Sequence, residues 1–388
     1  MPAIQLAPSL DSVMPSQIRE LADVAFSMDN VLKLHFGESN LPTPEFIKAA
    51  AAQALEDGYT YYTENGGLPE LRDAIAAKHA DLHGVSLDPA TEIVVTASGS
   101  QAVNVAMRCA IDPGDEVIVL TPNWPNGTQV ARLYGATPVE VPLAFDGRRY
   151  RVDMVALETA VSEKTRLLVY ASPSNPLGWV ASVEEQRGLL DFCRRHGLWL
   201  LADEVYERLY YNGTVAPSIL RLCTRDDAVI VTQSFSKSYC MTGWRLGWLV
   251  SRRDLARKAT QLNEFIISSA PAMLQRAGVV ALQEGEDSVQ AMVEVLQEQM
   301  SFCYEALSSV DRVSVSKPDG AFYLFPHIAG VENSFEYAVD LLKATHVALC
   351  PGSAFGNGGE GSLRLCFASD MTVLEPAMER VTKYIERV

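Results

Sequence analysis

An α/β protein with a mainly parallel central sheet is predicted by three features of this sequence. Short runs rich in β-branched residues alternate with longer stretches of helical periodicity, the pattern of strands joined through helices. Several of the short runs are continuously apolar, as strands buried on both faces are. From about Glu284 the order changes to a long helix followed by short strands, which predicts a smaller α+β domain.

In chain order, residues 44–57 and 68–83 read as helices, with Gly58 and Gly84 where C-terminal stops belong. A strand at 92–97 leads into a helix at 101–110, and strands follow at 116–120 and 166–172. Residues 183–196 form a helix stopped by Gly197, and strands are predicted at 198–202, 228–232 and 245–250. The tail reads as a helix to about Leu307, strands at 321–325, 347–350 and 362–367, and a closing helix. With 388 residues the chain exceeds what one core usually fills. The predicted division is a large domain at 44–283 and a small one at 284–388, completed by residues 1–43.

Forty-eight acidic against 32 basic residues give a net charge of -16, which disfavours nucleic acid and anionic membrane as partners. Residues 1–16 show no charged segment followed by an apolar core, and no run of about 18 apolar residues occurs. A cytoplasmic protein is the expectation. The seven cysteines lack close pairing and read as reduced thiols rather than a metal site. His79 and His83 share a helix face at metal-binding spacing, but without a suggested third ligand they read as an ordinary solvated face, and no metal is expected.

Four segments carry candidate chemistry. Ser98-Gly99-Ser100-Gln101 lies between a strand and a helix, where free amides suit a phosphate, although Ser and Gly also start helices for local reasons. Ser172 to Gly178 is a rigid turn presenting Asn175, or a plain loop. Asp203-Glu204-Val205-Tyr206 follows an apolar strand, at the end where α/β sheets bind ligands; a helix cap is the rival reading of Asp203. Ser234-Phe235-Ser236-Lys237, followed by Thr242-Gly243-Trp244-Arg245, places a lysine near a cation. A lysine so placed loses its proton readily, as Schiff-base chemistry requires, though a surface lysine after a strand is common.

In this order, and together with Tyr61-Tyr62, Gly66 to Arg72 and the late Ser362-Leu363-Arg364-Leu365, these segments resemble the class I/II aminotransferases of the aspartate aminotransferase superfamily, over nearly the whole chain. The resemblance implies a fold-type-I pyridoxal-phosphate transferase: a homodimer with shared active sites that takes an amino acid and a 2-oxo acid by ping-pong kinetics. It implies that Lys237 binds pyridoxal 5'-phosphate as a Schiff base and moves protons, while Asp203 pairs with the ring nitrogen. Tyr206 and Asn175 would bond the ring's phenolic oxygen, and Trp124 would stack on the ring or belong to the core. Ser98, Gly99, Ser100, Ser234 and Arg245 would hold the phosphate, with Tyr62 given by the neighbouring subunit. Arg364 would clamp the substrate α-carboxylate, near Gly37, where the backbone approaches it.

Two departures bear on specificity. Ser100 stands where some relatives that use dicarboxylates carry a lysine, and the sequence assigns no second substrate-facing arginine. Phe36, Trp124 and residues 265–267 are candidates for an apolar pocket, or equally for core, so neutral or aromatic amino acids are expected ahead of acidic ones. A β-lyase acting on sulfur amino acids shares this chemistry, because aldehyde-bound lysine does not fix the fate of the carbanion. A non-catalytic regulator that keeps the cofactor is disfavoured by the acidic charge.

Overall fold

A computed structural model describes residues 8–387. Its centre is a seven-stranded sheet of β1 (Ile93–Thr96), β2 (Glu116–Thr121), β3 (Thr137–Pro142), β4 (Thr165–Ala171), β5 (Trp199–Asp203), β6 (Val229–Ser234) and β7 (Gly247–Ser251). The strand order is β1-β7-β6-β5-β4-β2-β3. β7 runs antiparallel to both its neighbours, and the remaining pairs are parallel.

Alternate residues of the strands feed two cores. Val94, Val117, Val119, Val169, Leu201, Ile230 and Leu249 face one side, against α4 (Gly99–Ala110). Ile93, Val95, Ile118, Leu168, Leu200, Val231 and Trp248 face the other, with Ile47 and Ala51 of α2 (Glu45–Glu56) and Leu71 and Ile75 of α3 (Pro69–His83). Burial on both faces is why these strands read as continuous apolar runs. The helices start and stop where local chemistry dictates. Ser182 and Glu185 form a reciprocal capping box on helix Val183–His196, and Gly197 at φ 67° ends it in the left-handed conformation.

A third core gathers Leu21 and Ala25 of α1 (Gln17–Phe26), Leu296, Met300 and Leu307 of helix Glu286–Ser308, and Leu341, Leu363, Leu365 and Ile385. The N-terminal segment joins it through Leu32–Lys33, which pairs in parallel with Val347–Ala348. Tyr206 and Leu209 also belong to this core, although they follow β5 directly. The site is therefore built along a seam between two packed bodies.

Three expectations are corrected. Strand β3 was not foreseen, because its two prolines argue against a strand; it lies at the sheet edge, where prolines are tolerated. Arg245 is not a strand residue: it ends a 3-10 turn, Thr242–Trp244, at φ 55°, and β7 begins two residues later. His79 and His83 are not solvated but buried, at 0% and 5% exposure. His79 lies edge-on to Trp248, and His83 Nε2 sits 2.9 Å from the buried Glu207 carboxylate, a partner 124 residues away. Among the described residues, no helix is long and apolar enough to cross a membrane.

Candidate active site

Parallel β4, β5 and β6 present their carboxyl ends on one side of the sheet, so the turns after them converge there. Asn175 and Lys237 follow β4 and β6, Asp203 is the last residue of β5, and the N-terminus of α4 lies beside them. Together they line a cavity of about 710 Å³.

Lys237 is the cavity's buried amine. Its Nζ donates to Gly37 O at 2.6 Å, and burial, aided by the Arg364 cation, lowers its pKa to about 8. Removing the ammonium from water is what favours the neutral, nucleophilic form. Asp203 is raised by burial to about 6, against weak donation from Val205 N–H at 3.4 Å and Thr232 Oγ1 at 3.3 Å. A carboxylate so sparsely solvated is poised for a cationic partner, whose arrival would favour its ionised form. Tyr206 shares a 2.7 Å hydrogen bond with Tyr323, and burial holds its hydroxyl protonated well above the usual tyrosine range.

Opposite the strand ends stands Arg364, 2% exposed, on strand Leu363–Cys366. It donates to Asn175 Oδ1 at 2.9 Å and to His35 O, and its guanidinium lies 4.7 Å from the Tyr323 ring centre and 4.9 Å from that of Phe355. His35, lowered to about 4 by burial and the Arg364 charge, stays neutral beside it. Gly37 is required here: a Cβ would come within 2.5 Å of the Tyr323 hydroxyl and 3.7 Å of Arg364 Nη1.

At the other end, Gly99 and Ser100 open α4, whose unpaired amides suit an anion. Ser234 Oγ bonds Ser236 Oγ at 2.9 Å, and Arg245 Nη1 donates to Thr242 O at 2.6 Å. A buried low-pKa amine, a buried acid, and a helix end with hydroxyls and an arginine form a donor set that fits pyridoxal phosphate.

Of the residues singled out from the sequence, Gly37, Gly99, Ser100, Trp124, Asn175, Asp203, Tyr206, Ser234, Lys237, Arg245 and Arg364 all line the cavity. Ser98 does not; its Oγ caps α4 by accepting from Gln101 N–H at 3.1 Å. Tyr62 is 87% exposed and lies outside the cavity of this single chain. Phe36 joins Trp124 on the wall, whereas residues 265–267 do not line it and Phe265 is 84% exposed. Tyr323, His35 and Arg19 were not foreseen. Tyr323 sits in a buried apolar run and Arg19 on an amphipathic helix, and neither context marks a site in the sequence.

Fold and cavity together define a fold-type-I transferase acting on amino groups. The chain belongs to the class I and II aminotransferases, whose family model matches residues 29–381. It is 34% identical over 383 residues to the putative aminotransferase YugH of Bacillus subtilis, covering 98% of each chain. It is 36% identical over 380 residues to an aspartate aminotransferase of Pyrococcus abyssi, covering 97% of each. Among solved structures, an alanine aminotransferase from Pyrococcus furiosus superposes with a TM-score of 0.92 at 28% identity, over 99% of this chain and 100% of that one. The protein is thus a transaminase, of a family that uses pyridoxal phosphate.

Proposed function

We propose that this enzyme moves the amino group of a neutral or aromatic L-amino acid to a 2-oxo acid by ping-pong kinetics, with Lys237 as its proton carrier. The carrying observation is a buried amine with pKa lowered to about 8, within one cavity with Asp203 and Arg364. Bound pyridoxal phosphate supplies an electron sink for the pair left at the substrate Cα. Asp203 holds the ring nitrogen, while Asn175 and the Tyr206 hydroxyl donate toward the phenolic oxygen. Gly99, Ser100, Ser234 and Arg245, with the Ser98 backbone, hold the phosphate. Arg364 would orient the α-carboxylate, so that Lys237 Nζ could take the Cα proton and return one at the cofactor's aldehyde carbon across the shared nitrogen. Trp124 and Phe36 supply apolar wall for the ring and the side chain.

The active unit is a homodimer with shared sites. Tyr61, Tyr62, Phe265 and Ile266 are exposed at 84%, 87%, 84% and 46%, and their segments are tied by Thr63 N–H donating to Ser269 Oγ at 3.3 Å. So much exposed aromatic surface supports cover by a second copy, which would bring Tyr62 to the partner's phosphate. The third core supports a division into 44–283 and 284–388, the latter joined by 1–43. The acidic charge and free thiols favour the cytoplasm.

A donor panel of phenylalanine, methionine, alanine and aspartate against 2-oxoglutarate and pyruvate tests the proposal. Loss of the bound-cofactor absorbance on adding donor, and its return on adding oxo acid, is the expected result. Release of ammonia and pyruvate from cystathionine without any oxo acid would overturn it, and a clear preference for aspartate would overturn the donor class.

A further inference from the structure

Tyr323 lines the cavity at 0% exposure, and none of the roles proposed above uses it. Among the described residues, its hydroxyl makes one hydrogen bond, 2.7 Å to the hydroxyl of Tyr206. Its ring is held firmly in place. The Tyr206 ring meets it at 80° with centroids 5.8 Å apart, Phe322 at 60° and 4.8 Å, and the Arg364 guanidinium stands 4.7 Å from its centre.

Two phenols joined by one hydrogen bond carry two protons, and burial keeps both hydroxyls protonated. One proton lies between the oxygens, and the other points away from the pair. The direction of the bond therefore decides what reaches the cofactor. If Tyr206 donates to Tyr323, its single proton is engaged within the protein and none is left for the phenolic oxygen. If Tyr323 donates, Tyr206 accepts and its own proton is free to point into the cavity. The surroundings favour the second arrangement. Tyr323 has no other acceptor among the described residues, so turning its proton away from Tyr206 would leave a buried donor unpaired. The Arg364 cation at its ring also stabilises negative charge on the Tyr323 oxygen, which makes that hydroxyl the better donor.

We propose that Tyr323 is a positioning residue, which donates to the Tyr206 hydroxyl and so directs the Tyr206 proton at the cofactor's phenolic oxygen. This rests on the role given to Tyr206 above. A hydroxyl that accepts one hydrogen bond becomes a stronger donor in the next, so the two tyrosines act as a chain that ends on the cofactor.

The test is a pH titration of the absorbance of bound pyridoxal phosphate in holoenzyme, comparing wild type, Tyr206→Phe, Tyr323→Phe and the double variant. A bond donated to the phenolic oxygen favours its ionised form and lowers the midpoint, so a weakened donor raises it. Tyr206→Phe loses the whole bond and should raise the midpoint by roughly 1–2 pH units. Tyr323→Phe keeps the ring and loses only the reinforcement, roughly a tenth to a third of that rise. The double variant should match Tyr206→Phe, because Tyr323 acts through Tyr206 alone. The sign is decisive: were Tyr206 the donor to Tyr323, removing its acceptor would free the Tyr206 proton and the midpoint would fall. A fall or no change in Tyr323→Phe overturns the inference while leaving the Tyr206 role intact, and so does a double variant that exceeds Tyr206→Phe, which would mean that Tyr323 reaches the cofactor directly. No change in Tyr206→Phe overturns that role and the inference with it. Neutron diffraction of wild-type holoenzyme, where no substitution can disturb folding, should place the Tyr323 proton between the two oxygens; a Tyr206 proton found there instead overturns the inference.

Discussion

Replacing Arg364 with lysine keeps a positive charge and removes a fork. The guanidinium carries five N–H donors. One goes to Asn175 Oδ1 at 2.9 Å and one to His35 O, which leaves a terminal N–H on each side for a carboxylate. The Tyr323 and Phe355 rings, 4.7 and 4.9 Å from Cζ, fix the plane. A lysine ammonium is a single point with three donors, and it cannot serve both protein acceptors and both carboxylate oxygens. Losing one charge-assisted hydrogen bond costs about 1.5–3 kcal/mol, and losing two about 3–5 kcal/mol, so kcat/KM should fall roughly 10²- to 10⁴-fold. Because every amino acid and 2-oxo acid presents the same carboxylate, the loss should be similar across the donor panel, measured as single-turnover half-reactions. Cofactor content and melting temperature, followed in parallel, exclude a folding defect. A loss below about tenfold, or one confined to a single donor, would refute the clamp, since one charge-assisted bond alone carries more than that.

Three further outcomes follow from the same geometry. Cofactor-free protein should capture added pyridoxal phosphate at a rate that rises with pH up to about 8 and then levels, because the neutral amine is the nucleophile; borohydride-fixed label on Lys237 reads this, and a rise continuing to pH 10 would refute the lowered pKa. Gly247→Ala should weaken cofactor affinity, because a Cβ there would meet Gly99 N at 2.6 Å, Gln233 O at 2.7 Å and Ser98 C at 2.7 Å, all backbone; an unchanged dissociation constant would show that the phosphate turn yields freely. Glu207 is pushed up by burial but held below the ordinary 4.5 by Lys78 and His83, so its stabilisation is full above 4.5 and lost as pH falls through its folded value. Glu207→Gln should therefore cost about 3–5 kcal/mol near neutral pH, with the gap to wild type narrowing below 4.5; urea midpoints across pH measure it, and a pH-independent gap would refute the pairing.

What the sequence shows and what it hides separate on physical grounds. The central strands other than β3 are legible because each is buried on both faces over most of its length and carries an apolar run there. β3 escapes because an edge strand tolerates the prolines that elsewhere forbid one. Asn175, Asp203 and Lys237 are legible because their place follows from the strand that each one ends or trails. Arg19 and Tyr323 depend instead on how the third core sits against the sheet, a meeting that no local pattern encodes. The same holds for His83, whose buried partner is an acid more than a hundred residues away, and for His79, which packs edge-on to Trp248.

That meeting is recorded in three hydrogen bonds. Asn175 to Arg364, Tyr206 to Tyr323, and Lys237 to Gly37 O each join a group carried by the strand ends to one carried by the opposing segments. A substrate carboxylate on Arg364 would add a bond on the same side of the seam, next to the asparagine proposed to bond the cofactor. Substrate binding would also compete for Lys237, whose present acceptor is the Gly37 carbonyl beside that carboxylate site. Carboxylate recognition and release of the amine are thus placed within one network, so a substrate lacking the α-carboxylate should lose proton transfer as well as affinity.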